Sequence, residues 1–66
     1  MKKYQKSSLR LTLQQNMGQE VSPLEFAKWI RWFCELKHQP ESMIKAKTLS
    51  AEEVTVLEEW LGYRMR

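Results

Sequence analysis

Two stretches of the chain alternate apolar and polar residues with helical spacing and carry a marked start. In Ser22-Pro23-Leu24-Glu25 the serine can accept from a backbone N–H of the first turn. The proline stands where a missing donor costs nothing, and the glutamate can reach back to the cap. Val21 and Phe26 are spaced as a hydrophobic staple across that start. Apolar positions then recur at Phe26, Ile30 and Phe33, so a helix is expected over about 23–38. Pro40 disfavours helix at Gln39 and ends it. Ser50-Ala51-Glu52-Glu53 repeats the signature, with Leu49 and Val54 as the staple. Val54, Leu57 and Leu61 form one apolar side, flanked by Val56 and Trp60, and predict a helix over about 51–61. Gly62 is placed to take a left-handed C-terminal cap.

The remaining segments are less plainly patterned. From Ser8 to Gln14 apolar and polar residues alternate strictly, which is a strand period. Yet Leu9, Leu13 and Met17 lie four apart, and Leu, Arg, Gln and Met favour helix. A strand here would need a second copy of the chain as its partner, whereas a helix needs nothing extra, so helix is the favoured reading. Asn16 and Gly18 would end it. Between the two capped helices, Pro40-Glu41-Ser42 can start a helical turn near 41–46, with Met43 and Ile44 inward and Lys45 and Lys47 outward. The expected class is all-α: a small helical domain spanning 1–66, with residues 1–7 a candidate flexible basic arm.

One helix has more apolar surface than a lone neighbour can cover. Around the segment from Pro23, Arg31, Glu35 and Lys28 make a narrow charged stripe. The apolar arc covers roughly 200°, where a surface helix needs an arc somewhat above about 100°. Phe26, Ile30 and Phe33 read as the core face, while Trp29, Trp32 and Leu36 form a flank that wants its own cover. Trp29, Trp32, Leu36 and the adjoining Phe33 are therefore the candidate protein interface, since tryptophan is enriched at interface hot spots.

Composition bounds the rest. A chain of 66 residues and 8.0 kDa is one small domain. A core of that size rarely supplies more than about 3–5 kcal/mol, so it must pack well or borrow a second chain. Its single cysteine excludes an internal disulfide and points to a reducing, cytoplasmic setting. No apolar stretch reaches the roughly 18–20 residues of a bilayer span, and the lysines near the N-terminus are not followed by a signal-peptide core. The expectation is no membrane partner.

Catalytic chemistry finds little support. Cys34 and His38 are spaced like two zinc ligands on a helix, but no further cysteine or histidine completes a site. Only Gly18 and Gly62 are present, so no glycine-rich phosphate loop exists. The chain is read as a non-enzyme without metal or cofactor.

Charge suggests a different role. The formal net charge is +3, and Lys2, Lys3, Lys6 and Arg10 precede the first acid at Glu20. Such a segment can neutralise DNA phosphates. If two copies paired as a ribbon through residues 8–14, Arg10, Thr12 and Gln14 would face a major groove. That triplet and the order of elements resemble the ribbon-helix-helix repressors, which implies a DNA-binding homodimer. The chain departs from that pattern in the long Gln15–Val21 spacer and in lacking a glycine turn between the helices. Lys45 and Lys47 on a short helix could also serve a helix-turn-helix, though Glu52 and Glu53 at the next helix start oppose phosphate. Two functions are thus expected: a DNA-binding regulator acting as a homodimer, or an adaptor or inhibitor that docks its tryptophan flank on a larger protein.

Overall fold

A computed structural model describes residues 2–66 of the chain, and Met1 of the basic arm lies outside them. In order, the elements are β1 (Lys3–Gln5), α1 (Lys6–Met17), α2 (Pro23–Leu36), α3 (Ser42–Lys45), β2 (Thr48–Ser50) and α4 (Ala51–Leu61). The segment with two competing periods is helical. Leu9 and Leu13 are buried while Leu11 between them is exposed, so the fourfold spacing prevails over the alternation. Gly18 ends α1 at φ 74°, donating its N–H to the Gln14 carbonyl. That conformation suits glycine because no Cβ opposes it.

Both serine caps form. Ser22 Oγ accepts from Glu25 N at 3.2 Å. At Ser50 the reciprocal box closes: Ser50 Oγ accepts from Glu53 N, and Glu53 Oε1 accepts from Ser50 N at 2.8 Å. α2 stops at Leu36, and His38 beyond it takes φ 54°. Gly62 caps α4 in the left-handed region.

The architecture is mostly helical, but the all-α expectation needs correcting. β1 and β2 pair antiparallel, with Lys3 opposite Ser50, Tyr4 opposite Leu49 and Gln5 opposite Thr48. Strand pairing therefore occurs inside one chain and at residues 3–5, in the segment read as an arm. Three-residue strands are too short to show a period in sequence. Their pairing ties the N-terminal segment to the start of α4 and lays α1 beside the rest.

Leu9 and Leu13 from α1, Phe26, Ile30 and Phe33 from α2, and Val54 and Leu57 from α4 meet in one core. Met43, Leu49 and Val21 close its edges. No described polar or charged side chain is buried in it. The Cα radius of gyration is 10.8 Å, as a self-contained chain of this length shows, about 11 Å. One further piece lies past α4. Met65 is buried, its N–H donates to Glu58 Oε2 at 2.8 Å, and Asn16 Nδ2 donates to the Arg64 carbonyl at 2.7 Å. The tail thus folds back onto α1 and α4. Arg66 joins Glu58, Thr55 and the Tyr4 ring instead of the free carbonyls of α4.

Candidate functional site

The basic residues proposed for nucleic acid do not form one outward face. On a helix, Arg10 and Gln14 share a side and Thr12 sits well round from them. Arg10 Nη1 donates to the Val21 carbonyl at 2.8 Å, and Gln14 Oε1 accepts from Val21 N at 3.1 Å. These two side chains hold the α1–α2 connection at Val21. The ribbon arrangement is lost with the strand at 8–14.

Lys6 is also occupied. Its Nζ donates to the Met43 carbonyl and, at 3.1 Å, to the Ile44 carbonyl. This cation sits near the C-terminal end of α3, where helix carbonyls lack partners. Burial lowers its pKa from the usual lysine value, opposed by Cys34 and Glu53 nearby. Lys6→Met keeps the stem and removes the donor, leaving both carbonyls short of a partner. A loss of about 1–2 kcal/mol in urea unfolding is expected; an unchanged midpoint would show the clasp to be idle. Only Lys2 and Lys3 of the original set remain exposed without a hydrogen bond, with Lys2 Nζ resting 5.2 Å from the Tyr4 ring centroid.

The apolar flank of α2 behaves differently. Phe33 belongs to the core, 2% exposed and tilted against Trp60 with ring centroids 5.5 Å apart, so it is no surface residue. Trp29 is half-buried. Trp32 is 46% exposed and Leu36 66% exposed. Trp60, which reads in sequence only as a flank of the last helix, reaches the same place. Trp29, Trp32 and Trp60, with Met17, Leu61 and Tyr63, line an open depression of about 250 Å³. A second depression, walled by Phe33, Val56, Trp60, Lys37, Gln39 and Glu59, adjoins it across Trp60. The helix spacing of residues 29 and 32 was legible; the arrival of α4 and of Tyr63 beside them depends on tertiary packing.

Cys34 and His38 do not meet as ligands. Cys34 is buried with Sγ directed at the Pro40 carbonyl, 3.8 Å away. His38 lies beyond the helix end and is exposed. Among the described residues no three His, Cys, Asp or Glu side chains cluster as a metal site would require. Burial pushes the Cys34 thiol up from its usual pKa, with Lys6 pulling the other way. The folded chain therefore holds that proton above the pH where an unfolded thiol loses it. The stability so contributed is complete below about pH 9 and falls as pH rises through the folded value. Iodoacetamide at pH 8 should leave the native thiol unmodified for hours and alkylate it within minutes in urea; prompt native labelling would contradict its burial.

Among the described residues no helix is long and apolar enough to cross a membrane. Comparison with protein-family models, with curated proteins and with solved structures finds no match for this chain.

Proposed function

We propose that this protein is a non-catalytic protein-interaction module, gripping a protein partner through the tryptophan flank of α2. The observation that carries the reading is the convergence of three indoles on one open depression outside a core that is already closed. Exposing Trp32 and Leu36 forgoes burial worth about 1.5–3 kcal/mol for a large side chain. A partner recovers that energy, and tryptophan delivers it with little loss of rotamer freedom.

DNA binding as a homodimer retains a narrower base. Lys3 pairs opposite Ser50, and Lys47 accepts the Lys6 N–H through its carbonyl, so both lie at the uncapped start of α1. That end has no acid in the first helical turn and is hospitable to an anion.

A photoreactive residue in place of Leu36, and separately in place of Lys3, distinguishes the two in producing cells. Position 36 should give protein adducts that Trp32→Ala abolishes, and position 3 should give none. Adducts to DNA from position 3, salt-sensitive and unmatched at position 36, would overturn the reading.

A further inference from the structure

We infer that the partner seated on the outer face of α2 is a second copy of this chain, with the two α2 helices antiparallel about a twofold axis beside Trp32. This rests on the reading of that flank as a protein interface and adds its occupant.

Leu24, Lys28, Trp32, Glu35 and Leu36 share the outward side of α2, and all of them are exposed. Charges on this side form no ion pair among the described residues. Among the described residues the ion pairs within 4.0 Å are Lys45–Glu41 and Arg66–Glu58. Arg31 and Glu35 are one turn apart and still do not bridge. Lys28 and Glu35 are two turns apart with Trp32 between them, and they carry opposite charge. Laid against itself antiparallel, the helix brings Lys28 of each copy opposite Glu35 of the other. The same register sets Glu25 across from Lys37 and His38, and Arg31 across from Trp32. A parallel pairing would set Lys28 on Lys28 and Glu35 on Glu35. The order of signs is therefore self-complementary in one direction only, as an isologous twofold interface demands.

The indole is suited to this place. Lys28 Nζ already lies 5.3 Å from the Trp32 ring centroid, so the ring accepts a cation on its face. Arg31 of the second copy would approach it across the axis. Leu36, the most exposed large apolar residue beside Trp32, would cover the aliphatic stem of Lys28 in the other copy. With the axis perpendicular to the plane of the helix pair, the two tryptophan-lined depressions open on the same side of the dimer and form one longer apolar surface.

Charge reversal tests the seam, because every altered residue is exposed and the fold can be checked by circular dichroism. Sedimentation of the purified chain should show a dimer on the order of 10–100 μM. Lys28→Glu and Glu35→Lys, each alone, put two like-charge contacts on the axis and should weaken association by about tenfold or more. The double variant restores opposite charges and should recover dimerisation. A wild-type chain that stays monomeric, single reversals that associate as wild type does, or a double variant no better than the singles would each overturn the inference. A monomeric chain whose position-36 probe still captures another protein, dependent on Trp32, would overturn the self-pairing and leave the interface reading standing.

Discussion

Phe33→Ala is expected to leave the chain largely unfolded at 25 °C. The ring is 2% exposed and packs against Trp60 at 5.5 Å between centroids, joining α2 to α4. Removing a buried phenyl group costs about 3–5 kcal/mol once the cavity is counted. A single core of this size rarely holds more than about 3–5 kcal/mol in reserve. The loss is thus comparable with the whole margin. Far-UV circular dichroism should show most helical signal gone and no cooperative urea transition. Leu24→Ala is the control, since Leu24 is 84% exposed and surface changes usually stay within about 0.5 kcal/mol. A Phe33→Ala chain that still unfolds cooperatively near the wild-type midpoint would contradict this account of the core.

Met65→Ala is expected to be the next most damaging change, about 2–5 kcal/mol. Its side chain is 1% exposed although it stands beyond the last helix among Tyr63, Arg64 and Arg66, which are exposed. The methionine anchors a tail whose backbone also bonds to Glu58 and Asn16. Loss of the anchor frees those bonds to water, and Tyr63 would leave the tryptophan depression with it. Urea unfolding should therefore show a fall of at least 2 kcal/mol, accompanied by a change in tryptophan emission before the main transition. Wild-type stability in Met65→Ala would mean that the tail does not close the core.

These two residues also mark how far the fold could be read from sequence. Phe33 was legible as core because Phe26, Ile30 and Phe33 keep a helical period behind a capped start. Ser22, Ser50, Gly18 and Gly62 set helix limits through local hydrogen bonds and backbone freedom, which adjacent residues alone determine. Met65 had no such signal. A single apolar residue between two arginines has no period, and its burial depends on α1 and α4 being already assembled. The β1–β2 ladder was missed for the same reason: Lys3–Gln5 and Thr48–Ser50 are too short to alternate, and their pairing joins distant parts of the chain.

The candidate site divides along the same line. The excess apolar arc on α2 could be counted from residue order, so an apolar flank at Trp29, Trp32 and Leu36 is expected from sequence, and Trp32 and Leu36 are exposed. Phe33, legible as core face, does not also serve the flank it adjoins, because Trp60 covers it from a distant helix. Within the basic set, Lys6 and Arg10 bond inside the chain, which residue order does not show. Sequence shows where cations lie along the chain and is silent on whether a carbonyl waits for them, as those of Met43, Ile44 and Val21 do for Lys6 and Arg10.

The central claim is that the fold closes within one chain and leaves Trp32 for a partner. Acrylamide quenching in a Trp29→Phe, Trp60→Phe background reports on that single indole while circular dichroism follows the helices. On dilution the account predicts an unchanged helical signal together with a Trp32 that passes from shielded to readily quenched. Helices that melt as the chain is diluted, or an indole equally shielded at every concentration, would contradict it.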